Sequence, residues 1–156
     1  MSMQVWIAIA VGMAAVIDDL ARRHIANWIP AAALAGGLGW QIGRGGWPGA
    51  LTALAGTAAG FAVFLIFYLL GGMGGGDIKL MAGFGALLGA ERLFEAALWT
   101  AGIGGIMALA VLGWRALRHP KTTPEIRGVE EQEREASIPY APAIALGVWL
   151  SLVAKT

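Results

Sequence analysis

Apolar residues in this chain come in blocks, not at the intervals of a half-exposed helix. Six blocks can be marked, at about 3–17, 28–42, 51–70, 78–88, 96–114 and 140–154, separated by short polar or glycine-rich stretches. A segment that is apolar on every face has no side for water, so it lies in a large core or in lipid. The third and fifth blocks alone approach the ~20 residues that cross a bilayer. The first is expected to continue as a helix through 18–23, and the fourth to begin inside the glycine run at 71–76. The pattern predicts an all-α, polytopic membrane bundle of about six transmembrane helices. The alternative is four spans with re-entrant pieces. One domain over 1–156 accounts for the whole pattern, with a mixed-charge, proline-containing connector at about 115–139 and a short surface helix near 130–136.

Composition supports lipid over a soluble core. Only 13% of residues are charged and 58% are hydrophobic, with a mean hydropathy of +0.68; soluble domains carry roughly 25% charged residues. The 24 glycines fit helices whose backbones meet closely. Cysteine is absent, which excludes disulfides and a thiolate zinc site. Two histidines are too few for a histidine-rich metal centre, and a net charge of +1 gives no field for nucleic acid. No Lys or Arg precedes the first apolar block, so that block reads as a retained span and not a cleaved leader.

The basic residues orient the bundle. Eight of the eleven, Arg22, Arg23, Lys79, Arg115, Arg118, Lys121, Arg127 and Arg134, fall in loops that a six-span topology places on one side. The positive-inside rule makes that side cytoplasmic and puts both termini on the outer, periplasmic face.

Three acids lie at span ends on that cytoplasmic side: Asp18 and Asp19 at the end of the first span, and Asp77 at the start of the fourth. An acid beside a bilayer is costly and marks a candidate site. Two carboxylates brought together cannot both ionise easily and share a proton. One can then take a proton from water while the other polarises a peptide carbonyl. Adjacent helix positions point about 100° apart, so only one of Asp18 and Asp19 can face a partner on another helix. Plainer readings exist. Asp77 suits a helix N-cap, the acids after the first span suit an interfacial helix end, and Lys79 suits a snorkelling lysine. Asn27 and Gln41 are candidates for hydrogen bonds between helices.

The stretch Gly74-Gly75-Gly76-Asp77 carries the G-x-G-D signature of intramembrane aspartyl proteases, and with Ile78-Lys79-Leu80-Met81 it resembles the type IV prepilin peptidase family. In that family the first aspartate lies in a D-x5-I-P-N pattern, which Asp19 to Ile25-Ala26-Asn27 matches except for alanine in place of proline. The spacing selects Asp19 and leaves Asp18 structural. The run 138–147 is similar to the family's last span. The resemblance implies an aspartyl endopeptidase with Asp19 and Asp77 as the dyad and water as nucleophile. It would remove the basic leader of a membrane-anchored prepilin at the cytoplasmic face of the bacterial inner membrane. It implies a minimal form, similar to peptidases of Tad/Flp-type pilus systems, without methyl transfer, and a pilus assembly machinery as a possible partner. No metal or organic cofactor is implied.

Five glycines in 71–76 weaken any helix there. They are expected to leave backbone at Gly74, Gly75 and Gly76 open to an extended substrate, with Lys79 beside it. A competing class is a small proton-coupled transporter or channel subunit, since buried acids and glycine-broken helices also mark ion pathways. That reading needs acids near the bilayer midplane; these sit at span ends.

Overall fold

The computed structural model describes residues 2–70, 73–118 and 140–153. Among the described residues there are four helices: α1 (Met3–Arg22), α2 (Trp28–Leu69), α3 (Gly75–Arg118) and α4 (Ala141–Val153). The first block does extend as a helix past Asp19, and α3 does start within the glycine run. Residues 115–118, expected in the connector, belong to α3. The rest of that connector and its expected surface helix lie outside the described residues.

Two glycines break the long helices. Gly46 (φ 56°, ψ −132°) interrupts α2, and Gly89 (φ 74°, ψ 166°) interrupts α3. Both conformations are ones a Cβ disfavours. Pro48 sits just after the first break, where a missing N–H and a fixed φ suit the start of a new helical rod. Gly49 then lies against the Gln41 carbonyl, eight residues earlier, so α2 folds back as a hairpin of rods 28–45 and 47–69. α3 likewise comprises rods 75–88 and 90–118.

Small residues set the packing. Gly83 and Ala86 of α3 meet Ala33 and Gly37 on the first rod of α2; Gly85 meets Gly56 on the second, backbone to backbone. Rod 75–88 is thereby held between both halves of α2, and Leu80, Met81, Phe84 and Leu87 are fully buried along it. In lipid the gain comes from close van der Waals contact, because the tails are as apolar as leucine. On the other side α4 packs against α3 through Gly147 at Ala96 and Thr100, and against α1 through Trp149, whose indole N–H donates to the Ala8 carbonyl at 3.0 Å.

The perimeter is apolar. Trp6, Ile17, Leu54, Phe61, Leu98 and Leu109 are exposed, a surface suited to lipid and not to water. By length and composition α1, α2 and α3 can each cross a membrane, and α4 is a shorter apolar helix. The described chain is thus an all-helical membrane protein. The described residues hold three candidate spans where six were expected: the rods of α2, and those of α3, run on as one helix each, and α4, with 13 residues, is shorter than a usual span.

A buried acid pair at one end of the bundle

Antiparallel packing of α1 with α4 and the return of α2 toward α3 bring 19, 27, 77 and 140 to the same end. Asp19 lies in the last turn of α1 and Asp77 in the first turn of α3, and both are 7% exposed. Each is anchored by a backbone N–H through Oδ2. Ala141, the first residue of α4, donates to Asp19 at 3.1 Å. Gly74 donates to Asp77 at 3.0 Å, and the Asp77 N–H donates back to the Gly74 carbonyl at 3.1 Å. Asp77 is therefore not the N-cap itself. It is the third helical residue and reaches back to the N-cap, as the acid of a capping box does. Helix capping and presentation of the carboxylate are one geometry here. Asp77 lies within electrostatic reach of Asp19, and Arg23 lies within electrostatic reach of Asp19.

The neighbouring residues divide in role. Asp18 turns away from the pair. Its Oδ2 accepts the Ala26 N–H at 2.8 Å and its Oδ1 lies 3.3 Å from Arg22 Nε. The Lys79 ammonium donates to Asn27 Oδ1 at 3.0 Å, so it ties the start of α3 to the start of α2. Gln41 also bonds between helices, through Nε2 to the Leu87 carbonyl at 3.3 Å. Of the glycines, Gly76 is half-buried, and a Cβ there would lie 3.2 Å from Cβ of Ile25. The place of its missing side chain is taken by the chain itself. Gly74 and Gly75 are exposed, with nearest atoms at 3.5 and 4.0 Å from a built Cβ.

Two contacts at the site have no counterpart in the motifs. One is the Ala141 N–H, a backbone group. The other is the packing of Gly76 on Ile25, a residue the D-x5-I-P-N pattern includes but gives no partner. Beside the pair runs an apolar groove of about 210 Å³ between the second rods of α2 and α3, walled by Phe64, Phe67, Met73, Thr100, Gly104 and Tyr140. A second hollow of about 130 Å³ continues it past Phe67, Ala97 and Ala101 to Leu93 and Phe94. Met73 adjoins Gly74, and Tyr140 adjoins Ala141, so the groove ends where both carboxylates are anchored. Among the described residues no cluster of three or more His, Cys, Asp or Glu could hold a metal ion.

Fold and site define a helical membrane protein with two buried acids at one end of a small-residue bundle. Comparison with known proteins places it. Residues 6–109 match the type IV leader peptidase family, and the chain belongs to that family. The matched region holds both aspartates but stops short of α4. The chain is also similar to the prepilin leader peptidase/N-methyltransferase of Bacillus subtilis (strain 168), at 39% identity over 98 residues. That match covers 60% of this chain and 33% of the relative, so it spans about a third of the longer protein. No solved structure matches.

Proposed function

We propose that this protein is an intramembrane aspartyl endopeptidase that removes the leader from a type IV prepilin of the Flp-like kind, without methyl transfer. The single observation that carries the reading is the convergence of two buried carboxylates, each fixed by a backbone N–H, from helices 58 positions apart in sequence (Asp19 to Asp77). In the proposed reaction one aspartate, ionised, takes a proton from water as the water oxygen attacks the scissile carbonyl. The other, protonated, gives its proton to the carbonyl oxygen. The tetrahedral intermediate collapses as the first aspartate gives its new proton to the amide nitrogen and the second takes one back from a gem-diol hydroxyl; the C–N bond breaks, the carbonyl of the new acid forms, and the pair returns to its starting state.

The exposed backbone at Gly74 and Gly75 is the proposed place where the extended leader segment lies beside Asp77, with Lys79 at its edge. The groove between the second rods of α2 and α3 would hold the apolar helix that anchors the precursor. The breaks at Gly46 and Gly89 divide α2 and α3 into four rods. With α1 and α4 these make the six crossings proposed here, with the dyad toward the cytoplasm and both termini periplasmic, in the bacterial inner membrane. Family membership supports the proteolytic reading, and the basic residues support the orientation.

The test is to mix purified protein in detergent with a prepilin-like precursor, an apolar helix preceded by a short basic leader, and to look for the shortened product. A protein that never cuts but moves protons across liposomes would instead support the transporter reading.

A further inference from the structure

Asp18 is not absorbed by the acid pair, yet it is anchored more tightly than an interfacial charge needs to be. Its side chain is 14% exposed and accepts from two groups, the Ala26 N–H at 2.8 Å and Arg22 Nε at 3.3 Å. Between them runs the turn 23–27, which leaves α1 through Arg23 in the left-handed region (φ 51°). A non-glycine residue there is uncommon, so the turn needs support. The same turn makes two contacts with the start of α3. Ile25, 3% exposed, fills the space that Gly76 leaves, and Asn27 accepts from Lys79. Asp77 immediately follows Gly76. A charged acceptor on one face of the turn and the α3 terminus on the other make a continuous chain of contacts from Asp18 to Asp77. Ala26 stands where the pattern quoted above has proline. It therefore offers an N–H that proline lacks, and it lacks the fixed φ that proline supplies.

We infer that Asp18 is a positioning residue: its bond to the Ala26 N–H holds turn 23–27 against Gly76 and so sets Asp77 relative to Asp19. It does the work that a rigid ring at position 26 would do. This rests on the peptidase reading only for its effect on cleavage; the positioning itself can be read without any cleavage.

Because the chain has no cysteine, a single pair, Ile25→Cys with Gly76→Cys, reports the docked turn. A Cβ on Gly76 would lie 3.2 Å from Cβ of residue 25, a few tenths of an ångström short of the ~3.5–4.5 Å of a disulfide, so a small shift of the turn brings the pair into bonding range. Oxidation of this pair is measured in four backgrounds: parent, Asp18→Ala, Ala26→Pro, and both. Asp18→Ala should slow cross-linking about tenfold, and Ala26→Pro should make Asp18→Ala nearly silent, within about twofold. In the cysteine-free protein the same cycle should appear in kcat for precursor cleavage, with KM unchanged. Asp18→Asn keeps an oxygen for the Ala26 N–H and should recover most of kcat.

Parent-rate cross-linking in Asp18→Ala, or equal losses with and without Ala26→Pro, would overturn the inference. So would an Asp18→Asn variant as poor as Asp18→Ala. If Asp18→Ala does not accumulate, the double variant must; failure of both also overturns it. A cross-linking cycle that holds while the wild type cuts nothing would remove the peptidase reading alone.

Discussion

Asp77 combines two demands at one residue. As the third residue of α3 it caps the helix through Gly74, and that bond fixes where its carboxylate stands. Lengthening the side chain should therefore cost more than an added methylene suggests. Asp77→Glu keeps the acid but pushes it past the Gly74 N–H, and a misplacement near 1 Å costs roughly 10²-fold in rate. We expect kcat to fall by about that factor while KM holds, measured on the same precursor. The resemblance to the family's D-x5-I-P-N pattern separated Asp19 from Asp18, and in the structure the two carboxylates take different partners, as adjacent helical positions do. The Gly74 contact could be anticipated only as capping. The Ala141 contact could not, because a backbone N–H from 122 positions away leaves no mark on residue type.

At the scale of the element, breaks matter as much as helices. The Gly89 break leaves the Leu87 carbonyl in need of donors, and two side-chain amides converge on it. Gln4 Nε2 donates at 2.8 Å and Gln41 Nε2 at 3.3 Å, and Arg92 reaches the Gln4 oxygen at 3.5 Å. This polar knot lies at the opposite end of α1 from Asp19, fifteen residues or about 22 Å along the helix. Gln4→Leu should destabilise the protein by about 1–3 kcal/mol, seen as a lower melting temperature in detergent, while precursor cleavage at 25 °C stays near wild type. Gly85→Leu should be worse. Its side chain would enter the Gly56 backbone, where no rotamer change gives relief, and overpacking of this kind costs about 1–3 kcal/mol or more. Little folded protein should elute as a single peak on size exclusion. The apolar blocks made the helices readable in advance, and the glycine run marked the start of α3. What they could not convey was that 43–50 stays helical up to Gly46 and resumes at once, because a single positive-φ glycine is enough to reverse a chain whose flanks are otherwise good helix.

The whole molecule is a bundle with lipid-facing sides, a buried acid pair at one end and an apolar groove leading to it. If the groove takes the precursor's helix, filling it should weaken binding and leave the chemistry alone. Ala101 lines both parts of the groove and lies apart from the carboxylates. Ala101→Trp should raise KM roughly tenfold or more with kcat little changed, the signature of lost uniform binding; an unchanged KM would place the helix elsewhere. Hydropathy and the two acidic motifs sufficed to anticipate a membrane bundle with Asp19 and Asp77 at one level. A lateral groove for an apolar helix was an expectation of the sequence, but its place and its aromatic lining were not legible, because it arises from rods that meet only after two reversals.

The central claim is that Asp19 and Asp77 act together on a peptide bond, and single-turnover cleavage of a prepilin-like precursor by Asp19→Asn and Asp77→Asn tests it most directly. Each variant should insert and purify like the wild type yet cut at least about 10³-fold more slowly, and the double variant should be no slower than either alone. A wild-type rate in either single variant would contradict the claim.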